Sequence, residues 1–255
     1  MAVGREITVN AVSFPQQGGI VLYACSPSGP ETVAADGAGR TSDRVHLVSL
    51  LREHLARIKG NPTTEGCRAG GVDLPVQIIH DALGRPRLRL GECDGPAVSF
   101  SEGGGKLWAA LCGDASDIGI DAAAPDEFPD GYPSHRAFHD QELRHALTLT
   151  SGDSKKACAL LWSIKEAAVK ALGCAFHLVD PRQICVDPRT AEEDGGLVFT
   201  VGLSDQALQR FPLMRDRRIG VRSYFREETW LSVALLNRQR RDAVARRLEH
   251  GREMT

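Results

Sequence analysis

The chain has no apolar run long enough to span a bilayer. Its opening residues, Met1 to Glu6, lack the apolar core of a secretory signal, so none is expected. It has little net charge. A formal value of −2 gives no bulk pull toward nucleic acid or a membrane surface. Any anionic ligand must therefore be held by local arrangement. A cysteine framework is lacking too. Cysteines lie at 25, 67, 93, 112, 158, 174 and 185, an odd number at wide spacings with no Cys-x-x-Cys. That argues against a disulfide scaffold or a zinc knuckle. It leaves reduced thiols in a cytoplasmic protein as the simplest reading. His46, His54, His80 and His145 show no metal-binding spacing either.

What is present is an ordinary globular composition, 42% hydrophobic and 25% charged over 255 residues, long enough for two lobes. Ile20 to Ala24 reads as a strand. Pro27 to Arg40 reads as a loop. Asp43 to Ile58 reads as a helix, with Val45, Val48, Leu51, Leu55 and Ile58 on one stripe and Ser42 or Asp43 as its cap. Short strands follow at 76–80, 87–90, 97–100, 107–111 and 118–121. Ser101 to Gly105 reads as a loose hairpin loop. Helices are expected at 136–147 and 154–172, the second stopped by Gly173. Strands return at 183–186, 197–201, 219–224 and 230–236. Helices segregated from antiparallel strands predict an α+β fold. Leu107 to Cys112 and Trp230 to Leu236 echo each other, which suggests two similar lobes, 1–118 and 119–255. The Arg-rich tail from Arg238 to Arg252 also contains acids and reads as a solvated terminal helix.

The helix at 154–172 carries more than a structural helix needs. Leu160, Ile164, Ala167 and Ala171 form an apolar stripe. Trp162, Glu166 and Lys170 follow one another at i, i+4, i+8 on another face. By itself a Glu-x-x-x-Lys is usually an exposed, weakly stabilising pair. Here an acid and a cation stand one turn apart beside a large aromatic, and Gly119-Ile120-Asp121 upstream supplies a second carboxylate. An acid and a cation so placed can hold a metal ion and an anion side by side.

Gly119-x-Asp121 followed by Trp162-Ser163-x-Lys165-Glu166-Ala167-x-x-Lys170 resembles the signature of the 4′-phosphopantetheinyl transferase superfamily, in its larger, two-lobed type. Gly84-Arg85-Pro86 is similar to that family's Gly-Lys-Pro turn, and Arg136 to His139 with Glu142 is similar to the segment after the metal aspartate. The resemblance implies two pseudo-symmetric lobes, each a small antiparallel sheet packed on helix, with coenzyme A in the cleft between them. It implies transfer of phosphopantetheine from coenzyme A to a serine of an acyl or peptidyl carrier protein, releasing adenosine 3′,5′-bisphosphate. It implies magnesium on Asp121 and Glu166, charge neutralisation by Lys170, proton uptake by Glu166, and contacts to coenzyme A from Arg85, Ser101, Lys165 and Lys170. A monomer with no nucleic-acid or membrane partner is expected. Two departures stand out. Ala123 replaces a family metal ligand, and Glu102 falls where the family has a phosphate-binding histidine. Glu102 would repel that phosphate unless it points away or pairs with Lys106 or Arg85. Both departures favour an alternative, a non-catalytic relative that binds carrier proteins or nucleotides.

Overall fold

Short alternating apolar segments, separated by glycine and proline, make this a chain of antiparallel strands with few helices. The computed structural model describes residues 7–15, 19–27, 38–59, 75–113, 116–187, 191–193 and 195–237. The first half runs β1 (Asn10–Phe14), β2 (Gly19–Pro27), α1 (Ala38–Lys59), β3 (Val76–His80), β4 (Pro86–Leu90), β5 (Cys93–Asp94), β6 (Ala97–Gly103) and β7 (Lys106–Cys112). The second runs β8 (Ser116–Ala123), α2 (Asp140–Leu149), α3 (Ser154–Leu172), β9 (Ile184–Val186), β10 (Ala191–Glu193), β11 (Gly196–Leu203), α4 (Asp205–Arg210), β12 (Ile219–Arg226) and β13 (Thr229–Asn237). One sheet has the order β1-β2-β7-β6. A second has the order β10-β11-β12-β13-β8, with β9 also on β11, and β3-β4-β5 make a small third. The architecture is α+β, as the segregation of elements predicted.

The apolar clusters define the layers. Leu47, Val48 and Leu51 of α1 pack on Leu22, Ala24, Ala109 and Leu111, which occupy one face of the first sheet. Val21, Tyr23, Trp108 and Ala110 occupy its other face, and they meet Ile118, Ile120, Leu231 and Val233 of the second sheet. Tyr23 stacks on Tyr224 there, ring centroids 6.4 Å apart. The far face of the second sheet is covered by α3, which is covered in turn by Phe128, Phe138 and Ala146. The two sheets thus lie face to face, with a helix on each outer side. The chain crosses from the first sheet to the second between Cys112 and Ser116, so the division expected at 118/119 falls inside β8.

Several expectations need correction. Helix α1 begins at Ala38, so Ser42 and Asp43 lie within it and cannot cap it. The helix expected over 136–147 is split into a 3-10 turn at Ser134–Arg136 and α2 from Asp140. The split has a local cause. The Glu142 carboxylate accepts from the His139 amide at 2.9 Å, which restarts the helix there. The stretch 101–105 is no loose loop. Ser101 to Gly103 continue β6, and Gly104 and Gly105, with φ of 60° and 67°, make a two-residue hairpin turn. Strand β1 was not foreseen. Helix α3 ends as expected, with Gly173 at φ 79° and its amide bonded to the Lys170 carbonyl. The connection at 61–71, Cys67, most of the loop at 27–40 and the Arg-rich tail lie outside the described residues. No helix among the described residues is long and apolar enough to cross a membrane.

Candidate active site

Strand β8 sorts its residues by parity. Ile118, Ile120 and Ala122 point into the core between the sheets. Asp117, Gly119, Asp121 and Ala123 take the alternate positions, toward α3. Gly119 is there because α3 runs over it. A Cβ at that position would stand 1.9 Å from the Ala167 carbonyl oxygen. The Gly-x-Asp pattern is therefore a contact site for a helix, followed by an acid just past the contact.

Across from β8 lies β6, the edge of the first sheet. The two edges share no backbone ladder. Serine hydroxyls link them instead. The Ile120 amide donates to Ser99 Oγ at 3.1 Å, and the Ala122 amide donates to Ser101 Oγ at 3.2 Å. Gly103 makes the approach possible, since a Cβ there would lie 2.4 Å from the Ala122 carbonyl oxygen. This seam is where the expected site residues gather.

Lys170 stands at the centre of it. Its ammonium donates to Asp121 Oδ1 at 2.7 Å, to the Ile120 carbonyl at 3.1 Å and to the Phe100 carbonyl at 3.3 Å. Glu166 Oε2 lies 3.6 Å away on the next turn of the same helix. Asp121 also accepts from the Ser101 hydroxyl at 2.9 Å. Asp121, Glu166, Lys170 and Ser101 are thus brought together from three elements. The Asp121 carboxyl is pushed up to about 7: burial raises it most, the Lys170 ammonium opposes that, and the neighbouring Glu166 adds to it. The Asp121 side chain is 6% exposed, whereas Glu166 and Lys170 are 29% and 28% exposed. The buried acid anchors the group, and the other two face solvent.

The remaining letters of the helix pattern have structural partners. Trp162 packs on Phe176 and edge-on to Phe128, with centroids 5.1 Å and 6.4 Å away. Ser163 exchanges a hydrogen bond with Ser232 of β13 at 2.8 Å. Lys165 lies apart from this group. Its side chain is fully buried on the far side of the helix, 2.8 Å from Glu142, and it donates to the Ala137 and Pro181 carbonyls. Burial lowers its pKa, and Glu142 opposes that shift. Its buried pair ties α3 to α2 and to β9, whose Val186 amide Glu142 also holds at 2.8 Å.

Arg85 lies further along the seam. Its guanidinium is 2.6 Å from Asp117 and packs beside Gly173 at the end of α3. Asp117 is four residues before Asp121 on the strand, so roughly 13 Å separates the two acid–base pairs. Glu102 lies 3.3 Å from Arg44 of α1, while Lys106 pairs with Glu227 at 2.6 Å. The Arg44 guanidinium also covers the Phe100 ring, 5.2 Å from its centroid. Sequence reasoning missed Arg44 and Asp117. Both left a signal. Arg44 is a cation three and four residues before Leu47 and Val48, on the buried stripe of α1, and Asp117 is an acid in an apolar strand.

Asp121 supplies a buried carboxylate and Glu166 a second, partly exposed one, hard oxygen donors of the kind a small divalent cation takes. Magnesium commonly uses one or two carboxylates. Among the described residues no group of three or more His, Cys, Asp and Glu lies together. Ala123, wholly buried, offers no ligand.

No curated protein matches the chain. Residues 117–206, which carry β8, α2, α3, Asp121, Glu166 and Lys170, match the family model of the 4′-phosphopantetheinyl transferase superfamily.

Proposed function

We propose that the chain transfers 4′-phosphopantetheine from coenzyme A to a serine of an acyl or peptidyl carrier protein. The family match supports phosphopantetheine transfer in general. The observation that carries the finer reading is the Lys170 ammonium held between Asp121 and Glu166 at 2.7 and 3.6 Å, at a seam between two sheets.

In this reading the donor lies along the β6–β8 seam with its diphosphate at Lys170. The carrier serine oxygen forms a bond to the phosphorus that bears pantetheine. The bond from that phosphorus to the bridging oxygen breaks, and adenosine 3′,5′-bisphosphate leaves. Glu166, the exposed acid of the pair, takes the serine proton. Lys170 neutralises charge that grows on the leaving phosphate. Ser101 and the seam carbonyls hold Asp121 and Lys170 in place, so little reorganisation is needed during reaction. Magnesium held by Asp121 and Glu166 would supply further charge neutralisation for the diphosphate. Arg85 keeps a positioning role at the nucleotide end, with Asp117 fixing its guanidinium.

The test is incubation with coenzyme A, magnesium and a panel of apo-carrier proteins, read by intact mass. A phosphopantetheine mass gain is expected on at least one carrier. Asp121→Asn and Glu166→Gln should each lower the rate by about 100-fold or more while the circular dichroism spectrum is kept. Wild-type rates in both variants would remove the assignment of these acids. The burial of Ala123 favours a second reading, a relative that binds carriers without modifying them. Carrier binding with no mass change would select it.

A further inference from the structure

A cavity of about 490 Å³ lies apart from the Lys170 centre. It opens where the β6–β7 turn of the first sheet meets the β12–β13 turn of the second. Its walls include Tyr23, Cys25, Lys106 and Trp108 from the first sheet, and Arg226 and Thr229 from the second. Tyr23 and Trp108 belong to the core between the sheets. Asp121 points to the other face of the second sheet, toward α3. None of Ser101, Asp121, Glu166 and Lys170 lines the cavity. Its size is ordinary for a small-molecule site, which runs to roughly 300–1,000 Å³.

Two polar groups on these walls lack the partners their surroundings call for. Tyr23 is 2% exposed, yet its hydroxyl has no hydrogen-bond partner among the described residues. A phenol buried to that degree usually has one. Each sheet also brings a cation over a ring. Lys106 Nζ stands 5.7 Å from the Trp108 ring centroid, and the Arg226 guanidinium 5.3 Å from that of Tyr224. Lys106 is paired with Glu227 at 2.6 Å. Arg226 has no carboxylate partner among the described residues. It is close enough to Tyr23 to oppose the rise that burial gives the phenol. Cys25, half-buried, is kept a neutral thiol by burial and adds a soft apolar wall.

This mixture discriminates among ligand classes. A second cation is repelled by Arg226 and Lys106. An uncharged apolar molecule leaves the guanidinium and the phenol unused. A bare inorganic anion leaves the indole and the thiol unused. We propose that the cavity is a second binding site, and that it takes a small aromatic carboxylate. The carboxylate lies between Arg226 and the Tyr23 hydroxyl, and the ring lies against Trp108 and Cys25. Such a ligand touches both sheets at once. The site does not depend on the transferase reading.

The experiment is calorimetric titration of the full chain with 2-naphthoate, and with 2-naphthamide as its uncharged counterpart. The wild-type chain should bind 2-naphthoate at one site with a Kd below about 1 mM, and 2-naphthamide about ten-fold more weakly. Arg226→Gln alters an exposed side chain and leaves the fold intact, and it should weaken 2-naphthoate about ten-fold. Cys25→Phe fills the cavity and should abolish binding. Excess coenzyme A should not displace the probe. Absence of saturable binding, equal affinity for the two probes, an unchanged Kd in Arg226→Gln, or displacement by coenzyme A would each overturn the proposal. If Cys25→Phe does not fold, Arg226→Gln and the uncharged probe decide the matter.

Discussion

Helices α1 and α3 each cover one outer face of the paired sheets, yet they are packed in different ways. Among the described side chains of α1, only Leu47, Val48 and Leu51 are fully buried, and its other faces meet solvent or partial cover. Helix α3 is buried almost all round, because α2 and the segment through Phe128 and Phe138 close over its outer side. Its composition permits this. Ala157, Ala159, Ala167, Ala168 and Ala171 keep it slim, and Gly119 lets its backbone touch the strand beneath. Two of its partly exposed groups, Glu166 and Lys170, emerge beside the seam. A helix clamped on two sides cannot rotate or slide much, so the groups on its remaining strip are held where they are.

That contrast is open to attack by mutation. The largest effect should come from Gly119→Ala. Its methyl has no room against the Ala167 backbone, so a loss of roughly 4 kcal/mol or more, or no folded protein, is expected in denaturant melts. A loss below about 1 kcal/mol would show that α3 is not clamped. Next comes Lys165→Met, which leaves Glu142 buried without its cation. It should cost about 3–5 kcal/mol. Coenzyme A affinity of the molecules that remain folded in the cold should change less than about two-fold, because Lys165 faces away from the seam. A large affinity loss would restore Lys165 to the site.

On the other helix, Leu51→Ala should cost about 3 kcal/mol, with transfer per folded molecule unchanged within about two-fold. Loss of transfer in that variant would mean that α1 also governs the centre. The smallest effect is expected at Tyr23, in the core between the sheets. Burial pushes its phenol up to about 12, above the unfolded value of 10. The folded chain then resists ionisation more than the unfolded one does. Stability tied to Tyr23 is fully present below pH 10 and is lost as the pH rises toward 12. Urea midpoints of wild type and Tyr23→Phe should run parallel below pH 10, and wild type should fall relative to the variant above it. Parallel curves throughout would mean that the phenol is not buried.

Much of this was legible in the residues. The bounds of α3 followed from its apolar stripe and from Gly173, because a glycine stop and a helical period are local signals. The convergence of Asp121, Glu166 and Lys170 was legible through a motif, since period and spacing do not place a strand beside a helix. The burial of Lys165 was not legible for a definite reason. A helical wheel tells which residues share a face, and it cannot tell whether a second layer covers the outer face. The partner that buries Lys165 is Glu142, contributed by another helix. The triple glycine misled in a similar way. Its composition suggested slack, but Gly103 answers to a neighbouring strand and Gly104 and Gly105 to a two-residue turn. Strand β1 was overlooked because Asn10-Ala11-Val12-Ser13-Phe14 is short and carries two polar residues, and only its pairing with β2 makes it a strand.

The rungs from Ser99 and Ser101 have a wider consequence. An uncovered strand border is a template on which a foreign chain can add itself, and proteins usually blunt it with charge or proline. Here each sheet lends its border to the other, and two small alcohols occupy the amides an intruder would seek. That seam is thereby closed to an added strand.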